Sequence, residues 1–278
     1  MEIVLTIAGS DPSGGAGIQQ DLKTITALGC YGATVITSIT SQNTQGVQGS
    51  MPVPPDVVVS QLRAVLSDLE PTVIKIGMLP DRAVAEAVVD TLETYQRSQH
   101  LVEMTDHAEG TGSVGVPIIY DPVMVSTSGY PLMQSETIDY IAQRLFPLCT
   151  LITPNLPETD RLLEQIGIPP TPRDILRAGK GLSQFYGTAF LLKGGHADSS
   201  QMTDFLFETN GTVSPFTTER IVTGNLHGTG CTLSSAIAAH LAQGASLAEA
   251  VRKGKEYVTT AIRRSVDSRI GHGNGPLI

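Results

Sequence analysis

Short apolar runs that end in glycine or a polar cluster, each followed by a helical pattern, set the tightest limit on this fold. "IVLTIAG" (3–9) reads as a buried strand that stops at a turn. "GIQQDLKTITALG" (17–29) spaces apolar residues at 18, 22, 25 and 28 and ends on Gly29, an amphipathic helix with a stop signal. "ATVITSITSQ" (33–42) is β-branched and predicts the next strand. Helices over 56–69 and 82–96 flank a strand over 72–79. Strands at 116–124, 149–155 and 188–195 and helices at 134–146, 230–243 and 246–264 continue the alternation. Thr171 as N-cap and Pro172 as first residue predict one further helix, leading into strand 188–195. "TDFLFET" and "VSPFTT" flank Asn210-Gly211, a hairpin signal. The class is therefore α/β, with βαβ units building a central, mostly parallel sheet and an antiparallel addition near 203–218.

Residues 1–278 suit one domain of this type, and 41% apolar residues suffice for a core. With no tryptophan and few aromatics, that core is aliphatic. A net charge of −9 and the absence of a basic patch argue against nucleic acid as a partner. The cysteines, Cys30, Cys149 and Cys231, are odd in number and widely spaced, which excludes a disulfide framework and fits a reducing compartment. "MEIVLTIAGSDP" lacks a basic leader, and no run of eighteen apolar residues occurs, so a cytoplasmic protein without membrane partners is expected. The polar, unpatterned segment 98–115 reads as an exposed loop.

Nearly every polar or glycine-rich cluster falls at the carboxyl end of a predicted strand, where doubly wound sheets bind ligands. "GSDPSGGAG" (9–17) offers close backbone approach and the amides of a helix start, although a tight βα turn would look the same. "HGTGCTLSSAIAAHLA" (227–242) turns through Gly228 and Gly230 into a small-residue helix whose first amides are unpaired, a seat for a phosphoryl group. "TPNLPE" (153–158) puts Asn155 and Glu158 at a loop-to-helix junction, and Asp121 adds an acid at the neighbouring strand end, a set suited to Mg²⁺. Lys193 in "LLKGG" could neutralise a phosphate. Each alone is more often a cap or a surface charge; their convergence on one sheet edge is the argument.

"TIAGSDPSGGAGIQQDLKT", "SQNTQGV", "KIGML", "LITPNLPE", "LLKGGH", "HGTGCTLSSAIAA" and the closing "GHGNGPL" resemble the bacterial hydroxymethylpyrimidine/phosphomethylpyrimidine kinases of thiamine biosynthesis. The resemblance runs from residue 3 to about 276 and implies a ribokinase-like three-layer α/β/α fold. It implies ATP- and Mg²⁺-dependent phosphorylation of 4-amino-5-hydroxymethyl-2-methylpyrimidine and then of its monophosphate, leaves room for a monovalent cation, and suggests a homodimer. Carried over by position, Gln42 would read the pyrimidine edge, and Ala16, Asp21, Met78 and Val123 would line its pocket. Without the family, Asp21 reads as an exposed helix residue and Met78 as core filler. Lys193, Asn155, Glu158 and Asp121 would handle phosphates and metal, with Thr229 on the ATP side, and Gly228, Gly230 and Cys231 would form the anion hole. A pyridoxal kinase-like enzyme on the same fold is the alternative, disfavoured by Gln42 and Met78. A sugar kinase would carry an aspartate in place of Cys231, and a binding protein without catalysis would not need Lys193 and Glu158. A thiol can stay neutral beside a phosphate acceptor, and a helix N-terminus favours its ionisation beside an alcohol.

Overall fold

The computed structural model describes residues 1–106, 115–126, 129–169, 174–194 and 200–278. The strands are β1 (Ile3–Ser10), β2 (Tyr31–Asn43), β3 (Gly46–Pro52), β4 (Val73–Ile76), β5 (Ile118–Tyr120), β6 (Leu151–Ile152), β7 (Ala189–Leu192), β8 (Gln201–Phe207) and β9 (Val213–Glu219). They form one sheet in the order β3-β2-β1-β4-β5-β6-β7-β8-β9. Pairing is parallel from β2 through β7 and antiparallel at both margins, where β3 pairs with β2, and β8 with β7 and β9.

The helices are α1 (Gly17–Ala27), α2 (Pro55–Leu66), α3 (Arg82–Asp106), α4 (Ser135–Arg144), α5 (Leu156–Gln165), α6 (Ile175–Tyr186), α7 (Thr229–Ala242) and α8 (Leu247–Ser265). Strand side chains alternate between faces. Leu5, Ile7, Ile74 and Ile76 therefore pack with Val58, Leu62, Val88, Ile141 and Leu162 from α2 to α5. Val4, Val73, Ile119 and Leu191 point the other way, onto Ile25, Ile237 and Val251 of α1, α7 and α8. Each such fully buried aliphatic side chain stabilises the fold by about 1.5–3 kcal/mol. The result is three layers, with helices on both faces of the sheet.

The central strands are shorter than their apolar runs. β5 stops at Tyr120 because the chain turns at Asp121–Val123, where the Val123 amide donates back to the Asp121 carbonyl at 2.8 Å. β3 gave no strand signal: Gly46 and Gly49 interrupt its alternation, and the register Ile39↔Met51 forms through pairing with β2. The segment 98–115, expected as a loop, continues α3 as far as Asp106, and 107–114 lie outside the described residues. The Thr171–Pro172 helix start also lies outside them; α6 is capped by Asp174, whose Oδ1 accepts from the Arg177 amide at 3.0 Å.

Helix α7 is buried along most of its length, from Thr232 to Ala239. Its few polar side chains are each tied down from a different direction. Gln20 of α1 donates to Thr232 Oγ1 at 3.0 Å, Ser235 donates to Asp21 at 2.8 Å, and the Ser234 hydroxyl lies 3.4 Å from Asp121.

Candidate active site

The chain leaves β1 for β2 on one side and later returns to β4 on the other, so strand order reverses at β1 and β4. A crevice at the carboxyl ends of such strands is the expected ligand position. A cavity of 510 Å³ lies there, walled by the ends of β1, β4, β5 and β7 and by the start of α7.

The turn after β1 is organised by Asp11. Its Oδ1 accepts from the Ser13 amide at 2.9 Å and the Ser13 hydroxyl at 2.7 Å, and its Oδ2 from the Ala16 amide at 2.9 Å. His227 Nε2 lies 2.8 Å from the same Oδ2. Burial works against the Asp11 charge, yet His227 and Ser13 hold its carboxyl below the usual carboxylate range. Ala16, Gln42, Met78 and Val123 line this end of the cavity.

Asp21 does not line it, and it is not exposed either. It is fully buried behind the wall, 2.7 Å from the equally buried Lys75 ammonium. Thr6 and Ser235 donate to it at 2.6 and 2.8 Å. The pocket assignment for Asp21 is thereby corrected: the residue facing the cavity is Lys75, with Asp21 as its counter-ion. The readable signal was a lysine inside the apolar run "VIKI", since lysine is almost never fully buried without a partner.

The cavity floor is the start of α7. Gly228 caps the helix at φ +85°, and a Cβ there would collide with the Gly15 carbonyl. At Gly230, a Cβ would stand 3.2 Å from Asp121 Oδ2 and 3.6 Å from Lys193 Nζ, in the space between floor and wall. Thr229, Gly230 and Cys231 supply the first-turn amides, which have no partner inside the helix. Burial pushes the Cys231 thiol up to about 12, against the pull of Lys75 and a hydrogen bond from the Gly17 amide. That direction runs against the expectation that the helix end favours ionisation.

Lys193 reaches in from the end of β7 and pairs with Asp121 at 2.9 Å, and Thr153 donates to the same oxygen at 3.1 Å. Burial opposes the Asp121 charge, but Lys193 and Lys75 keep its carboxyl low. Burial opposes the Lys193 charge too, and Asp121 and Glu158 outweigh it. Asn155 and Glu158 form a reciprocal cap on α5: Glu158 Oε2 accepts from the Asn155 amide at 2.8 Å, and Asn155 Oδ1 from the Glu158 amide at 3.0 Å. Burial, with Asp121 nearby, raises the Glu158 carboxyl to about 7 despite Lys193.

No group of three ligating side chains able to cage a metal occurs among the described residues. Mg²⁺ does not need one, because it takes one or two carboxylates and leaves the rest to water and phosphate. Glu158 and Asp121, two carboxylates lining the same cavity as Lys193, fit that ion. Farther along, Met202, Ile221, Leu226, Val258 and Ile262 give the cavity an apolar end beside β8 and α8, which sequence reasoning missed. Lys255 and Asp204, which also line the cavity, pair at 2.6 Å, and Asp204 accepts from the Gly194 amide at 2.8 Å, next to Lys193.

A family profile described as phosphomethylpyrimidine kinase matches residues 11–278. The hydroxymethylpyrimidine/phosphomethylpyrimidine kinase of Escherichia coli is 41% identical over 273 residues, 98% of this chain and 95% of that protein. A crystal structure of phosphomethylpyrimidine kinase from Clostridium difficile is similar with a TM-score of 0.75 and 38% identity, over 94% of this chain and 100% of that one. An ADP complex of Bacillus subtilis pyridoxal kinase is similar with a TM-score of 0.81 and 32% identity, over 100% of this chain and 96% of that one.

Proposed function

Since the chain belongs to the phosphomethylpyrimidine kinase family, we propose from that premise how its cavity serves the activity. The fold is ribokinase-like, and the protein is a phosphotransferase of thiamine biosynthesis. It phosphorylates 4-amino-5-hydroxymethyl-2-methylpyrimidine and then the resulting monophosphate. One observation carries the assignment of parts: the α7 start, Lys193, Asp121 and Glu158 line one cavity together with Gln42 and with the apolar set Leu226, Val258 and Ile262.

In this reading the pyrimidine lies against Ala16, Met78 and Val123 with its edge toward Gln42. An amide matches an amino group beside a ring nitrogen, as Asn and Gln match adenine. The nucleotide base takes the apolar end at Leu226, Val258 and Ile262, and Asn155 and Thr229 stand where its phosphates pass. Lys193 and the amides of Gly228–Cys231 hold the transferring phosphoryl group, where preorganised donors stabilise developing charge. Glu158 and Asp121 would hold Mg²⁺ through water and phosphate oxygens, and the ion would neutralise phosphate charge. Lys75 holds positive charge beside the thiol. The neutral Cys231 admits an ionised phosphate as second acceptor, where a fixed carboxylate would repel it by an amount that grows as water leaves.

A homodimer and a cytoplasmic location belong to the same reading. The former is supported by Ile39 and Met51, paired and exposed on the β2–β3 hairpin. No described helix is long and apolar enough to cross a membrane. The test is product analysis with purified protein, ATP, Mg²⁺ and the hydroxymethylpyrimidine, with pyridoxal as a parallel acceptor. Pyrimidine diphosphate is expected. Arrest at the monophosphate, or preference for pyridoxal, would overturn the assignment.

A further inference from the structure

Gln42 lies between two groups whose protons are already committed. Thr40 Oγ1 lies 2.8 Å from the Ser10 carbonyl and 3.2 Å from the amide of Gln42. A hydroxyl has one proton, and a carbonyl oxygen can only accept it. Thr40 therefore donates to Ser10 and turns a lone pair toward Gln42. On the other side, His227 Nε2 lies 2.8 Å from Asp11 Oδ2 and 3.3 Å from the Gln42 amide. Asp11 accepts from Ser13 and Ala16 through both oxygens, as an ionised carboxylate does. His227 Nε2 therefore carries a proton and gives it to Asp11, whatever the charge of the ring.

These two counts fix the amide. With Oε1 toward Thr40 and Nε2 toward His227, acceptor would face acceptor and donor would face donor. Turned over, Nε2 donates to Thr40, and Oε1 takes a secondary, electrostatic share of the His227 N–H whose proton is given to Asp11, so neither contact sets like against like. Amide orientation is assigned by such networks rather than by shape. The contacts are also built in: His227 is 7% exposed, Asp11 3% and Thr40 6%.

We propose that His227, held by Asp11, is a positioning residue that with Thr40 locks the Gln42 amide in one orientation, and so selects rings presenting an amino donor beside a ring-nitrogen acceptor over rings presenting an oxo acceptor beside a ring N–H. This rests on the reading that Gln42 meets the pyrimidine edge. With the orientation locked, the amino group lies on the His227 side, against Oε1, and the ring nitrogen on the Thr40 side, against Nε2. A 4-oxo counterpart needs the reverse, which a free amide would provide by turning over.

The experiment compares kcat/KM for the first phosphorylation of 4-amino-5-hydroxymethyl-2-methylpyrimidine with that of its 4-oxo counterpart, in the wild type, His227→Leu, His227→Gln, Thr40→Val and Gln42→Leu. The wild type should prefer the amino ring. His227→Leu should lower that preference about threefold, since Oε1 holds only a share of an N–H given mainly to Asp11. His227→Gln, which restores an N–H donor at similar reach, should recover most of it. Thr40→Val should lower it as well, and it tests the lock if His227→Leu does not fold. Gln42→Leu should collapse the preference. A purely structural role for His227 would slow both acceptors alike, so an unchanged preference in His227→Leu and Thr40→Val, with collapse in Gln42→Leu, would overturn the lock alone. No change in Gln42→Leu would overturn the reading of Gln42 and the lock with it, and a wild type that phosphorylates neither ring would overturn the proposed function.

Discussion

Replacing Asp21 by Asn tests whether this residue is a counter-ion or a substrate contact. Asp21 and Lys75 are both fully buried, 2.7 Å apart. Asn keeps the shape and can still bond the Thr6 and Ser235 hydroxyls, but it leaves the Lys75 ammonium with only the more distant Asp121 charge and a neutral thiol. Breaking a buried pair at one partner costs about 3–5 kcal/mol, much of it from the stranded charge. That is a large part of the roughly 5–15 kcal/mol that holds a domain of ordinary stability. The double variant Asp21→Asn with Lys75→Met has no charge to strand and should recover at least about 2 kcal/mol of the loss. In the single variant burial depresses the Lys75 pKa, so the folded state binds fewer protons than the unfolded one. Its stability should then rise with pH above neutrality, relative to the wild type. Urea unfolding followed by circular dichroism at pH 7 and pH 9, without ligands, measures all three quantities. A single variant within about 1 kcal/mol of the wild type, or a double variant no more stable than the single, would refute the counter-ion. If the single variant were as stable as the wild type and its KM for the pyrimidine rose, Asp21 would return to the substrate pocket.

Three other outcomes follow from the site. The Glu158 carboxyl, at about 7 in the fold against 4.5 ordinarily, gives stability that is full below pH 4.5 and lost as pH rises through 7; metal-free wild type should thus lose about 2–3 kcal/mol from this group between pH 5 and 8.5. Glu158→Gln, which keeps the α5 cap, should lose none of it, and parallel pH profiles in denaturant would refute the shift. Gly228→Ala forces a Cβ into the Gly15 carbonyl at a positive φ and should cost about 1–3 kcal/mol of stability, with kcat/KM down about a hundredfold; a fully active variant would show that the close approach is not needed. Cys231→Asp should slow the second phosphorylation at least about tenfold more than the first, because a carboxylate near an ionised phosphate repels it by a few kcal/mol; equal losses in separate rate measurements would remove the argument for a neutral thiol.

The layers of the fold were legible because periodicity reports burial locally: Leu5 and Ile7 alternate with Val4 and Thr6 across a sheet buried on both faces. Strand-end chemistry was legible because Asp121, Asn155 and Lys193 each sit at a break in an apolar run, and Gly228 at a glycine turn into a small-residue helix. What stayed hidden were pairings across the chain. Lys75 and Asp21 are 54 residues apart, and His227 and Asp11 are 216 apart. Nothing in the local pattern around Asp21, which follows a helical period like any polar residue of α1, marks it as buried under α7. Strand β3 was hidden for a related reason, since its identity depends on its partner β2 rather than on its own alternation. Asp204 and Lys255 join a hairpin to the last helix, a contact that only the folded chain creates.

Helix α7 is pinned by Gln20, Asp21 and the neighbourhood of Asp121 along three of its polar side chains. Any slide or roll would break these ties together, so the end that carries Gly228–Cys231 is a fixed stop. The two acceptors differ in length by one phosphate. With the stop immobile, the ring of the longer acceptor must come to rest farther from it than the ring of the shorter. In the proposed reading Gln42 would then meet the alcohol and the monophosphate at different points of travel, with the substrate shifting between turnovers in place of the protein.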